Sequence, residues 1–467
     1  MTHKSILLAF TALMLFGCFS KEETHDIASQ LDEFLTGQSK YFRFNGNVLV
    51  AEKGETVFQK SYGFADFTTK RLLNDSSVFE LASISKQFTA TAILLLQDNG
   101  KLQLTDSLRH YFPELPYSGI TIYHMLTHTS GLPDFINMMI NKWDHSKIAF
   151  NHDMIALLAR EKPPLHFSPG TSWEYNNTAY AILASIIEKV SGQSFKEYMA
   201  ANIFKPLQMT HTHIYNTRRS LKDTLANYAY GFVYRDNLNN YFLPDSLADK
   251  KFVVYLDGIH GDVAVNSTTA DLLKWDRSVK NHTLLSEASQ KDMLEKQVLI
   301  DSLINSHYGF GVFLTPKDMD DFVFHSGEWP GYVTFLARNV DDDQTFIVLS
   351  NNQSNSRHIG MALNEILNGR PVVMPYEHKE INMDSTTMQQ FVGRYAAQSE
   401  FTIDRTGNKL YRVSAMKPMV ELKPESATKF FYNDGTDRQL EFELDPDNHV
   451  IKVWLIAYGI KAEYLKK

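Results

Sequence analysis

Cysteine is nearly absent from this chain: Cys18 is the single one in 467 residues. One thiol excludes an intrachain disulfide, so stability has to come from buried apolar surface. Positive charge is also in short supply. Lys and Arg number 46 against 54 Asp and Glu, a formal net charge of -8, which leaves no basic surface for nucleic acid. No apolar run has the length of a membrane span, and no internal repeat or low-complexity segment is present. The chain is 43% hydrophobic, and about 450 mature residues suffice for one large domain and a small one.

The chemistry-bearing segments are few. Phe79-Glu80-Leu81-Ala82-Ser83-Ile84-Ser85-Lys86 is an extended apolar stretch that passes into good helix formers, with Asn99-Gly100 as the stop signal. The spacing predicts Ser83 and Lys86 in the first turn of that helix, three residues apart on one face. A serine hydroxyl is a weak nucleophile until a neighbour takes its proton, and an adjacent lysine can do so or can tune another base. The helix N-terminus adds positive potential and free N–H groups for an oxyanion. Ser414-x-x-Lys417 and Ser426-x-x-Lys429 repeat the pattern in a segment of strands and turns, where it is incidental.

A turn at Pro169-Gly170 leads to Tyr175-x-Asn177, followed by an amphipathic helix bearing Ile182, Leu183, Ile186, Ile187 and Val190 and closed by Gly192. His325-x-Gly327 stands between two strand-like runs. His358-x-Gly360 leads into a helical stretch and is incidental.

In this order, Ser83-x-x-Lys86, Tyr175-x-Asn177 and His325-x-Gly327 resemble the active-site elements of the serine beta-lactamase-related family, which groups class C beta-lactamases, DD-peptidases, D-aminopeptidases and esterases. The segments Ile120–Pro133, Ile203–Met209 and Gly261–Trp275 look like family signatures as well. The resemblance covers residues 27–370. It implies an α/β (α+β) fold, an antiparallel sheet flanked by helices with a helical region. By the same resemblance, Ser83 attacks a carbonyl and Lys86 and Tyr175 share its proton, either being the base. Asn177 binds the substrate amide, and the N–H groups of Ser83 and Glu328 form the oxyanion hole. No cofactor or metal is implied. His211-Thr212-His213 lacks a third ligand, and His124 and His128, four apart on a presumed helix, belong to a family-typical segment.

Departures from the family pattern bear on substrate choice. Typical beta-lactamases carry Lys-Thr-Gly where this chain has His325-Ser326-Gly327. A histidine titrates near pH 6.5 and is a weaker partner for a carboxylate than a permanently charged lysine, which favours a peptidase or esterase. Glu328 either repels acidic substrates and attracts a free amine, or lends only its N–H. Asp262 replaces a glycine common in relatives. The expected function is a serine hydrolase forming an acyl-enzyme at Ser83 on a peptide, D-amino-acid amide or ester of the cell envelope. The alternatives are a beta-lactamase, or a non-turnover sensor lipoprotein with a penicillin-binding-like pocket.

The ends of the chain suggest location. Residues 1–17 have a basic start and a short apolar core, as a secretory signal does, and Leu15-Phe16-Gly17-Cys18 resembles a bacterial lipoprotein processing box. Lipidation at Cys18 predicts a membrane-anchored envelope protein, with 18–26 a polar tether. Beyond it, Ile27, Leu31, Phe34 and Leu35 mark an amphipathic helix, and Asn47–Phe58 reads as a hairpin turning at Lys53-Gly54. Prolines near 369–375 mark a boundary and 371–384 a linker. Residues 385–467 alternate as short strands (Leu440, Phe442, Leu444; Ile451, Val453, Leu455) and resemble the small lipocalin-like barrels appended to some relatives.

Overall fold

The computed structural model describes residues 19–467 except 217–224, 303–304, 316–320, 398 and 415–416. The leader and Cys18 lie outside the described residues. The first helix runs Phe19–Phe42. It therefore includes the segment expected as a tether, because Lys21, Glu22 and Glu23 are themselves good helix formers. Leu31, Phe34 and Leu35 recur at helical spacing and are fully buried against the sheet.

That sheet has eight antiparallel strands drawn from both ends of the domain. Across it stand Val298–Asp301, Ser306–Tyr308, Phe313–Leu314, Phe322–Trp329, Tyr332–Asn339, Gln344–Ser350, Gly46–Glu52 and Glu55–Tyr62. The first hairpin turns at Lys53 and Gly54, both left-handed (φ 51° and 87°), which is the backbone that a two-residue turn of matching twist requires. Helix Ser356–Leu367 packs beside the first helix on one face, burying Ile359, Ala362, Leu363 and Ile366.

The other face carries the helical region. Helix Ser85–Asp98 runs through its centre against helix Asn177–Ser191 and is buried almost all round. Phe88 meets Trp275 and Phe204 at centroid distances of 4.1 and 5.9 Å. Truncating such a fully buried ring to alanine costs about 3–5 kcal/mol. Burial here is what holds the turn at Ser83 in register with the sheet.

The C-terminal strands between Gly393 and Lys466 close into an eight-stranded barrel. Its interior is a packed core that includes Tyr395, Phe401, Phe430, Tyr432 and Phe442. The expected alternation holds for Leu440 and Phe442 but not for Ile451, which is exposed, while Val450, Val453 and Ile456 are buried. A register shift where Glu443 and Leu444 face Lys452 and Val450 inserts the extra residue. The barrel is docked on the first helix, with Gln38 Nε2 donating to the buried Asp437 carboxylate at 2.5 Å. The 371–384 segment is tied down as well, through Val373 N–H to Gly459 O (3.0 Å) and Ile381 N–H to Pro424 O (2.9 Å).

Candidate functional site

Ser83 sits where a strand must become a helix within a few residues. Phe79–Glu80 pairs with Val265–Ser267, and Leu81 N–H donates to Val265 O at 2.9 Å. Ala82 then takes a left-handed conformation (φ 50°), unusual for a residue with a Cβ, and opens a 3-10 turn over Ala82–Ile84. The α-helix begins only at Ser85. Ser83 is thus on the turn ahead of the helix rather than in its first α-helical turn, and it is the one residue between Leu81 and Ala90 that is not buried.

Lys86 is fully buried. Its ammonium uses all three protons: Nζ donates to Ser83 Oγ at 3.1 Å, to Asn177 Oδ1 at 2.8 Å and to the main-chain O of Asp262 at 3.0 Å. It also lies over the rings of Tyr175 and Tyr180, 4.9 and 5.6 Å from their centroids. Burial pushes the Lys86 amine down to about 8, and Asp262 pulls it partly back. The Tyr175 hydroxyl is buried and, among the described residues, makes no hydrogen bond of good geometry, with the Ser83 hydroxyl as its polar neighbour. Burial raises it above the ordinary phenol value, while the Ser83 hydroxyl favours its ionised form. The arrangement can move a proton off Ser83, and of the two candidate bases Lys86 is the one shifted toward neutrality.

Asn177 is brought to Lys86 by a helix start. Asn176, extended, caps helix Asn177–Ser191 by accepting from Ala179 N–H at 2.8 Å, and its amide donates to Leu132 O at 2.6 Å. Tyr175 and Asn177 therefore flank a fixed cap.

The third element approaches the same turn. Strand Phe322–Trp329 pairs with Tyr332–Asn339 along its whole length, but with Phe313–Leu314 only at Val323 and Phe324. The remaining edge, through Gly327, packs on the Ser83 turn. A Cβ at Gly327 would lie 2.1 Å from Leu81 O and 3.1 Å from Ala82 Cβ. Thr334, opposite Gly327, donates to Leu81 O at 2.7 Å. The Glu328 side chain is exposed.

His325 does not behave as an ordinary titrating histidine. It is 1% exposed. Its Nδ1 lies 2.6 Å from Ser326 O and its Nε2 3.3 Å from the Tyr308 hydroxyl. The Tyr308 hydroxyl lies 3.1 Å from His128 Nε2, and His128 Nδ1 accepts from Asn176 N–H at 3.1 Å. The two backbone ends fix the direction of the chain. Asn176 N–H feeds His128 Nδ1, so His128 carries its proton on Nε2 and donates to Tyr308, which donates to His325 Nε2, whose Nδ1–H faces Ser326 O. Each ring holds one proton and is neutral. Burial and the nearby Lys86 push His325 down to about 3 and His128 well below its ordinary value. This corrects the expectation that His325 titrates near neutral pH.

His128 and Tyr308 are site residues that carry no catalytic pattern of their own in the sequence. The pair is 180 residues apart, and only the fold joins it. His124 and His128 do not share a helix face either. Helix Ile122–Leu126 ends first, and His128 is left-handed (φ 59°).

A sequence model of the Beta-lactamase family matches residues 31–367. The chain belongs to the beta-lactamase family. It is a serine hydrolase of that family. Penicillin-binding protein 4* of Bacillus subtilis (strain 168) is 39% identical over 414 residues, 87% of this chain and 91% of that protein. Among solved structures, a penicillin-binding protein from Bacillus halodurans aligns with a TM-score of 0.62 at 26% identity, covering 74% of this chain and 98% of its own. The octameric penicillin-binding protein homologue from Pyrococcus abyssi aligns with a TM-score of 0.66 at 23% identity, covering 94% of this chain and 99% of its own, and shares the fold.

Proposed function

We propose that this beta-lactamase-family hydrolase forms an acyl-enzyme at Ser83 on a peptide, D-amino-acid amide or ester, and that the acyl group is then released to water. The observation that carries the reading is the contact of the Lys86 amine with Ser83 Oγ at 3.1 Å, in a site whose other Lys86 partners are fixed. As Ser83 Oγ bonds to the carbonyl carbon, its proton passes to the Lys86 amine in its neutral form, or to Tyr175 in its phenolate form, and from that acceptor to the leaving group as the bond to it breaks. The Ser83 and Glu328 N–H groups take the oxyanion. Asn177, held by Lys86, orients the acyl amide.

A neutral His325 favours substrates that need no carboxylate partner, and this supports the peptidase or esterase reading over a beta-lactamase. The proposed setting is the bacterial cell envelope, with the chain held at a membrane by lipid on Cys18. Among the described residues no helix is long and apolar enough to cross a membrane. A sensor that acylates without turnover is the other reading compatible with an intact Ser83, Lys86 and Tyr175. Incubation with a fluorophosphonate and with a penicillin, followed by intact-mass measurement and a turnover screen over D-amino-acid amides and esters, tests the proposal. A mass increase at Ser83 with turnover supports it; a stable adduct with no turnover of any substrate supports the sensor; no adduct refutes both.

A further inference from the structure

One charged side chain of the site has no role in that scheme. Asp262 is 1% exposed, and its carboxylate Oδ1 is buried with no hydrogen-bond partner among the described residues. The loop that carries it is clamped from two sides. Gly261 is left-handed (φ 107°), and a Cβ there would stand 2.5 Å from Ala184 Cβ and 2.6 Å from Tyr180 O. Gly261 O accepts from Thr89 Oγ1 at 2.6 Å, and Asp262 O accepts from Lys86 Nζ at 3.0 Å. Asp262 is therefore held with its main-chain O on the amine and its carboxylate in the same buried site, without a direct ion pair to Lys86 Nζ.

Burial pushes the Asp262 carboxyl above the ordinary carboxylate range and the charge on Lys86 pulls it partly back; a buried carboxylate persists as an anion only where a cation compensates it. The titratable groups around this pair are Tyr175 and Tyr180 from the start of helix Asn177–Ser191, His128 beyond helix Ile122–Leu126, Tyr308 and His325 from the sheet, His260 of the same loop, and Asp134 ahead of helix Phe135–Lys142. The tyrosines and the two chain histidines are uncharged, and Asp134 opposes a second anion. His260 is stacked on Phe195 and stands 3.6 Å from the Glu188 carboxylate. Lys86 is left as the compensating charge.

We propose that Asp262 is the charge partner of Lys86, a positioning residue whose buried carboxylate holds the proton on the Lys86 amine in the resting site and so sets the pH above which Ser83 can be activated. The inference rests on the acyl-enzyme reading. It does not depend on which group is the base, because a carboxylate at this position stabilises the Lys86 ammonium and opposes a Tyr175 phenolate alike. Asp262 takes no proton in the step: the Ser83 proton still goes to the amine or the phenolate as the Oγ–carbon bond forms. What changes on its removal is the pH at which that acceptor is free.

The test is the pH dependence of Ser83 labelling by a fluorophosphonate, followed by intact mass, in the full chain and in Asp262→Asn. Asp262→Gly serves as a second variant that removes the charge without adding an amide to satisfy. The midpoint of the acid limb is expected to move down by about one pH unit in both variants, as for loss of an opposite charge that shares a buried site without a direct contact. Ser83 labelling with an unmoved midpoint in the variants overturns the inference and leaves the acyl-enzyme reading standing. No Ser83 labelling of the unaltered protein at any pH overturns that reading instead.

Discussion

Lys86 and Asn177 are 91 residues apart in sequence, and the ammonium of one donates to the side-chain oxygen of the other at 2.8 Å. The bond joins the Ser-x-x-Lys turn to the cap of helix Asn177–Ser191. It leaves Lys86 with its remaining protons on Ser83 and the Asp262 carbonyl, so the positions of Ser83 Oγ, the proposed nucleophile, and of the Asn177 side chain are set by one buried cation. Activity and local stability are consequently coupled at Lys86.

Ser83→Ala is expected to abolish labelling by a serine-directed probe and to lower turnover at least about 10^3-fold, since a cooperative catalytic set loses most of its effect with one member. Peptide mapping of the labelled protein decides the position. Label on Ser414 or Ser426 would sink the assignment.

Lys86→Met is expected to cripple acylation and also to destabilise the fold. It strands the half-buried Asn177 Oδ1 and the buried Asp262 carbonyl, the latter a loss of about 1–3 kcal/mol when unsatisfied and the former less. Tyr175→Phe removes a hydroxyl that makes no well-formed hydrogen bond among the described residues, so it should lose activity with little change in melting temperature. Parallel thermal melts and labelling rates separate the two; a Tyr175→Phe variant that labels at the normal rate would remove Tyr175 from the mechanism.

Gly327→Ala should slow acylation about 10^2-fold, the order expected for a displacement of roughly 1 Å between reacting groups. The added Cβ has no room beside Leu81 O, 2.1 Å away, so strand Phe322–Trp329 must withdraw from the Ser83 turn. Normal labelling kinetics in this variant would show that the strand edge contributes nothing to the oxyanion site.

The buried His128–Tyr308–His325 chain predicts a pH dependence of stability. His325 is held neutral, its value pushed down to about 3 from an ordinary 6.5. The unfolded chain therefore binds a proton that the folded one refuses, and stability present above pH 6.5 is lost as pH falls toward 3. Melting temperatures from pH 7 to 4.5 should decline less steeply in His325→Gln than in the unaltered protein. The same neutrality means that the ratio of acylation by penicillin to acylation by a neutral ester should not rise from pH 8 to 5 on account of His325. A rise that disappears in His325→Gln would show that the imidazole does become charged.

Metabolic labelling with a fatty-acid analogue is expected to mark the unaltered chain and not Cys18→Ala. Firm retention at a membrane requires more than the one acyl chain that gives marginal affinity. Recovery of an unlipidated mature protein beginning beyond Cys18 would refute the anchor.

Local chemistry alone makes much of this protein legible. The hairpin at Lys53-Gly54, the amphipathic face of Ile27 to Leu35, the helical stretch after His358-x-Gly360 and the order of Ser83, Lys86, Tyr175 and His325 all follow from periodicity, turn residues and motif spacing, which act over a few residues at a time. The α-helix that begins at Ser85 rather than at Ser83 does not. Its start depends on Ala82 adopting a left-handed backbone so that the chain can leave the Phe79–Glu80 strand, a demand made by the partner strand Val265–Ser267. The neutrality of His325 lies further still from the sequence. A histidine in isolation titrates near 6.5, and nothing near position 325 says otherwise; Tyr308, His128 and Asn176 reach it only through the packed site. The same holds for Asp262, whose significance is its burial beside Lys86. Sequence determined which groups are present and how each short segment folds. Tertiary structure alone decided their ionisation, because charge depends on desolvation and on neighbours distant in the chain.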